Sequence, residues 1–199
     1  MSILELIGAG TAPPEQTIKI ADVSLFNMAM SIKAEKDVRY YLNYLSIDPV
    51  DKTLTASCGY SLIQTHDALD FSGYMGTKKL LIKPEQMLPK KCISAVINID
   101  RKVIIAYTEK NQIMTIGFET CDYRYPDLSD ILSDINDMTI TNDDICCFNP
   151  LLLRKMNKYS GSATVVLTAH KPKIGKSFFS VKFPSLNCDY KAILMPAIP

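Results

Sequence analysis

One order of elements is written three times along this chain, and that recurrence constrains the fold more than any single motif. Residues 18–21 read as a short strand, and the spacing predicts a helix over 23–35. Asp22 or Ser24 can cap that helix, because a short oxygen-bearing side chain there accepts an orphan backbone N–H. Leu25, Phe26, Met28, Ala29 and Ile32 make an apolar stripe at helical spacing, while Ser24, Asn27, Ser31 and Glu35 take the other side. Strands are expected next over 39–47, 53–57 and 62–69, with Asp48-Pro49-Val50-Asp51-Lys52 as turn chemistry and Gly59 as a break. The order then returns. Residues 79–82 read as a strand, Pro84 opens a short helix that Pro89 limits, and strands follow over 95–99, 102–108 and 113–120, with Lys110-Asn111 in a hairpin turn. In the third copy 145–148 is a strand, Asn149 caps a helix, Pro150 is its first residue and Gly161 stops it. Its strands are 164–168, 178–183 and 190–195, with a basic loop over 171–176.

Repetition of one supersecondary unit predicts an α+β architecture of β-α-β-β-β units, helices on one face of antiparallel sheets. The boundaries that follow are a Gly/Pro-marked arm over 1–17, two units over 18–132, an acidic linker over 133–144 and a third unit over 145–199.

Composition excludes several classes of function. The chain has 199 residues, 47% hydrophobic and 22% charged, with a net charge of +1, so an ordinary folded core is expected. Cysteines at 58, 92, 121, 146, 147 and 188 make no C-x-x-C pair, and only His66 and His170 accompany them. No zinc spacing exists, so no metal site is expected and the thiols read as free in a reducing cytoplasm. No apolar run nears the roughly 20 residues of a membrane span, and the opening apolar run is short and interrupted by Glu5. The expectation is a soluble, cytoplasmic protein that meets no membrane. No Gly-rich phosphate loop, G-x-S-x-G or H-E-x-x-H occurs. The carboxylate pairs Asp134/Asp137 and Asp143/Asp144 lack a nearby histidine and read as solvated. Neither a cofactor nor enzyme chemistry is expected.

Charge placement says more than net charge. Each expected helix carries a basic cluster: Lys33 and Lys36; Lys90 and Lys91; Arg154, Lys155 and Lys158. Residues 154, 155 and 158 share a helix face, and Leu152, Met156 and Tyr159 take the opposite one. Such a surface can hold phosphates without reading sequence. Solvated helix faces are the plainer account of the same clusters.

The run Asp37-Val38-Arg39-Tyr40-Tyr41-Leu42-Asn43, followed by Ser57-Cys58-Gly59-Tyr60-Ser61-Leu62, resembles the central domain of the bacterial sliding clamp, the β subunit of the replicative DNA polymerase. Tyr125-Pro126-Asp127 resembles that family's Phe-Pro-Asp closing motif. Phe148-Asn149-Pro150-Leu151-Leu152 and Ile193-Leu194-Met195-Pro196 resemble the second half of its last domain. The resemblance covers about residues 18–199 and implies a shortened clamp of phage or prophage type. It implies a processivity factor that encircles or cradles duplex DNA and tethers a polymerase or another replication protein. Lys36, Arg39, Tyr40 and Tyr41 match family residues that touch DNA; as adjacent strand residues the two tyrosines would face opposite ways, one of them into the core. A partner-peptide groove is implied at Leu42, Ser57, Gly59, Tyr60 and Leu62, with Pro126, Ile131, Ile193, Met195 and Pro196. Tyr60 and Ser61 replace the family's His-Arg, and Asp130 stands where Arg is usual, so the groove would accept a different peptide or none. The family ring resembles a circle of twelve units, so three units per chain would need a homo-oligomer of four chains. The rival expectation is a clamp-fold module that never closes a ring and sequesters clamp-binding peptides as a decoy.

Overall fold

A computed structural model describes residues 15–128, 132, 148–170, 178–186 and 188–195. In the first unit, β1 (Thr17–Ile20) turns through Asp22 into α1 (Val23–Ile32). The Asp22 carboxylate accepts the Leu25 N–H at 2.9 Å, which satisfies one of the helix's orphan donors. The whole expected stripe is buried. β2 (Leu45–Asp48) and β3 (Thr53–Ser57) follow, joined by a turn in which Asp48 accepts the N–H groups of Val50 and Asp51. β4 (Ser61–Thr65) and β5 (Leu69–Asp70) complete the unit, so the single strand expected over 62–69 is broken at 66–68.

The second unit contains β6 (Leu80–Pro84), β7 (Cys92–Asn98), β8 (Val103–Thr108) and β9 (Ile113–Cys121). The third contains α2 (Pro150–Ser160), β10 (Val166–His170), β11 (Phe178–Lys182) and β12 (Tyr190–Leu194). Asn149 caps α2 by accepting the Leu151 N–H, and Gly161 ends it with φ +64°, a left-handed geometry that suits glycine.

The strands run β10-β11-β12-β4-β3-β2-β6-β9-β8-β7-β1-β5 across one antiparallel sheet. The first strands of the two leading units are exchanged. β1 lies against β7, with Ile20 opposite Ala95, and β6 lies against β2, with Leu45 opposite Ile82. Strands of both leading units are thus interleaved in one sheet over 17–121. β12 then extends the free edge of β4, with Ile193 opposite Leu62. The main core runs through all three units: Ile18, Phe26, Met156 and Phe183 are fully buried in the same cluster. A smaller cluster of Leu62, Leu132, Phe178 and Ile193 forms on the other face of the sheet from Ala56, Ile63, Ala192 and Leu194.

Several expectations are corrected. Pro84 ends a strand instead of opening a helix, and residues 85–91 are a loop, so Lys90 and Lys91 lie on no helix. Seven residues between β6 and β7 leave no room for a helix after the turns at either end. α1 stops at Ile32 and not at 35. Asn27 does not face solvent: it is buried, accepts the Leu88 N–H at 3.0 Å and donates to the Leu88 carbonyl at 3.2 Å. The strand expected from Arg39 begins only at Leu45, and Tyr40–Asn43 is a 3₁₀ turn. Phe148 is in no strand, and 145–147 lie outside the described residues, as do most of the expected arm and all of the expected linker. Glu15 and Gln16 are tied to the β7–β8 turn through Asn98 and Asp100.

Candidate functional site

The helices carry one candidate face. Lys33 follows the last turn of α1 and is half-buried, and α2 crosses beside it, with Ser31 Oγ donating to the Lys155 carbonyl at 3.3 Å. Burial pushes the Lys33 ammonium below the usual lysine range, and repulsion from Lys83 and Lys155 adds to this against the pull of Glu35. Lys33 therefore senses one cation from each of the other two units. Lys83 was not read from the sequence as a site residue, since one lysine in a strand carries no signal; it is also paired to Glu119 at 3.0 Å. Arg154, Lys155 and Lys158 are exposed along α2, and Met156 is buried beneath them, as expected. Lys158 lies 5.2 Å over the Tyr159 ring, and Tyr159 Oη donates to the Met87 sulfur at 2.9 Å. That contact brings α2 onto the loop that stands between β6 and β7.

Lys36 is exposed in a left-handed backbone conformation, φ +59°. Arg39 is held differently. Its guanidinium donates twice to Asp37, at 2.9 and 3.0 Å, and this holds the Asp37 carboxyl down to about 2. The same guanidinium lies over Gly59, where a Cβ would come within 2.6 Å of Nη2 and where φ is +83°. Arg39, matched to DNA contact, thus sits against a residue matched to the peptide groove.

The opposite face of the sheet carries the groove residues. Register aligns Ser57, Leu62 and Ile193 across β3, β4 and β12, and Met195 donates its N–H to the Tyr60 carbonyl at 2.8 Å. Leu62, Ile193 and Met195 are brought together, but Leu128, Leu132 and Phe178 close over them, leaving Leu62 6% and Ile193 1% exposed. These three closing residues carry no local sign in the sequence that ties them to Leu62, which lies 66 or more residues before each of them. Leu42 is buried, its carbonyl accepting the Ala34 N–H, and Tyr60 is exposed. Ile131 and Pro196 lie outside the described residues. Pro126 lines a cleft of about 400 Å³ beside Ser46, Gln64 and Lys191, which also reaches Leu128 and Leu132 of the closing cluster. At the groove's far side, burial lowers the His170 pKa; its Nε2 is 2.7 Å from Ser180 Oγ and its ring stacks on Phe178.

The 3₁₀ turn packs on the segment after β9. Tyr41 meets the buried Tyr125 edge-on, at 6.0 Å between centroids. Outside this pair, Tyr40 lies parallel to Tyr123, also at 6.0 Å. Among the described residues no helix is long and apolar enough to cross a membrane.

No protein-family model matches the sequence, and no curated protein matches it. Solved structures do. A DNA polymerase sliding clamp from Pseudomonas aeruginosa aligns with TM-score 0.56 at 14% identity, over 94% of this chain and 68% of that one. The DNA polymerase III β subunit from Thermotoga maritima aligns with TM-score 0.55 at 13% identity, over 100% of this chain and 70% of that one. The β subunit from Streptococcus pyogenes aligns with TM-score 0.56 at 10% identity, over 93% and 66%. The chain has the fold of the polymerase sliding clamps.

Proposed function

We propose that this protein is a sliding-clamp-like processivity factor, non-enzymatic, that holds duplex DNA against the α1 and α2 side and tethers a polymerase or another replication protein on the opposite sheet face. The observation that carries this reading is the convergence of Lys33, Lys83 and Lys155 from three separate units, with Arg154 and Lys158 exposed alongside. Lys83 and Lys155 both repel the Lys33 ammonium, a repulsion that a bound anion would relieve. Phosphate contacts of this kind are sequence-blind and salt-sensitive. The partner groove is Leu62, Ile193 and Met195 beneath Leu128 and Leu132, which a partner peptide would displace. Retention on DNA would come from a closed homo-oligomer.

The test is duplex binding by fluorescence anisotropy across a salt series. Lys33→Glu, Arg154→Glu and Lys158→Glu together are expected to abolish binding; unchanged affinity overturns the assignment of this face. Light scattering across a concentration series reads the assembly, and a discrete closed oligomer is expected. Met195→Glu is expected to remove peptide binding with the fold intact. The second reading, a decoy that captures clamp-binding peptides without closing a ring, is favoured by one observation: a loop stands between β6 and β7, so one of the three expected basic helices is missing from the DNA side. A monomer that binds peptide but not duplex would establish the decoy.

A further inference from the structure

We infer that the outer face of β7, β8 and β9, at the end that carries Ile93, Tyr107 and Ile113, is a docking surface for an acidic amphipathic helix of a partner protein. Register places Tyr107 between Ser94 and Ile113 across the three strands. Alternation sends the adjoining Ala95 and Ala106 into the core, so Tyr107 and Ile113 stand on the side away from the helices. The register shifts between Cys92 and Ser94, and this bulge leaves Ile93 without a cross-strand partner. Ile93 is 63%, Tyr107 39% and Ile113 66% exposed. Half-buried Val96 and Ile105, paired with each other, continue the apolar surface along the strands. The equivalent strands of the first unit turn Ser46, Thr55 and Gln64 to that side, so the sheet itself does not call for apolar residues there. Exposed apolar residues are ordinary singly; a contiguous row marks an interaction surface.

The surround is basic. Lys90 and Lys91 lead into β7, and Lys110 sits in the β8–β9 turn. The Glu109 N–H donates to the Lys91 carbonyl at 3.0 Å, which holds the two segments side by side. These three lysines take part in none of the ion pairs among the described residues. Glu109 is the only carboxylate within 86–94 and 107–114. Glu85 lies over Gly117, where a Cβ would come within 2.7 Å of its Oε1, and that is about 13 Å along β9 from Ile113. Three cations against one carboxylate select an acidic partner. Two inter-strand steps span about 10 Å, and residues seven apart on a helix are spaced by about the same distance. A helix laid across the strands therefore sets one apolar row on Ile93, Tyr107 and Ile113, with its Asp or Glu side chains beside the lysines. A lipid surface fits less well. The exposed polar turn over 109–112 projects beyond Tyr107 and Ile113 and would have to be desolvated first.

The test uses the full chain and a labelled, designed helical peptide of about 14 residues, with leucines on one face and glutamates on the other. The wild type is expected to bind it by anisotropy, and to bind a scrambled peptide of the same composition about tenfold more weakly or worse. Tyr107→Ser with Ile113→Ser should weaken binding about tenfold or more, as loss of apolar anchors does, while circular dichroism checks the fold. Lys90→Glu with Lys110→Glu should abolish binding and admit a version of the peptide with lysines in place of the glutamates. No wild-type affinity for the glutamate peptide overturns the inference, as does equal binding of the scrambled one. Capture by phosphatidylserine vesicles without peptide binding reassigns the surface to lipid, and self-association lost in the serine variant reassigns it to a second copy; either result overturns the partner helix. Duplex affinity should be unchanged in the serine variant, so this surface and the proposed function fail separately.

Discussion

The first and second units share a sheet plan and differ in what covers it. Between its first two strands the first unit carries a capped ten-residue helix; the second spans the same gap with loop residues 85–91. The exchanged strands β1 and β6 are still equivalent in their pairing. Backbone pairing therefore fixes the symmetry of this fold, and the helix is a removable cover. What replaces it is specific. Asn27 ties α1 to Leu88, Leu88 is buried, and Tyr159 of α2 reaches Met87. The third unit thus supports the loop of the second, and one buried asparagine stands in for part of a helix interface.

The comparison breaks most severely at the helix that remains. Phe26→Ala, at a fully buried site on α1, is expected to cost about 3–5 kcal/mol in urea unfolding, through lost transfer energy and a residual cavity. A loss under ~1 kcal/mol would mean α1 is no more essential than the missing helix. Asn27→Ala tests the substitute. It leaves the Leu88 N–H and carbonyl buried without a partner, for an expected loss of about 1–3 kcal/mol. Hydrogen exchange should rise first in residues 85–91; protection unchanged there would show that the asparagine does not hold the loop.

Caps separate the two kept helices more finely. Asp22→Ala and Asn149→Ala should each cost about 1 kcal/mol, by thermal unfolding. The Asp22 change should perturb the first two units together, because β1 belongs to both. The smallest effect distinguishes the third unit. Its His170 is buried, whereas His66 of the first is exposed. Burial lowers the folded pKa of His170 below 6.5, so the unfolded chain takes up the proton first. This contribution to stability is complete above the unfolded value and is lost as pH falls through it toward the folded one. His170→Asn should flatten that slope below pH ~6.5, where an unshifted imidazole begins to protonate. An unaltered slope assigns it elsewhere.

Much of the fold was legible because its signals are local. Asp22 and Asn149 cap, Gly161 stops a helix, Asp48 organises a turn, and the α1 stripe is buried; each depends on residues within a few positions. The second helix was misread from equally local signs. Pro84 and Pro89 are compatible with a helix start and stop, but they also fit a strand end and a loop, and too few residues lie between them to decide by periodicity. Asn27 was assigned to solvent because its partner is 61 residues away. Of the candidate site, the exposed face of α2 and the alignment of Leu62 with Ile193 follow the sequence pattern. Lys83, Leu128, Leu132 and Phe178 do not, for they acquire a role only from what they meet.

The sequence by itself determined where the two helices begin, the stop at Gly161 and the turn at Asp48, and which side chains are apolar enough to be covered, since those depend on short-range sterics and hydrogen bonding. Only the tertiary structure decided that two units exchange first strands, that three lysines converge, that the groove residues lie closed, and that Ile93, Tyr107 and Ile113 stay in water. Those outcomes depend on pairings between distant segments, and a strand's pattern says which face is apolar without saying whose edge it will join.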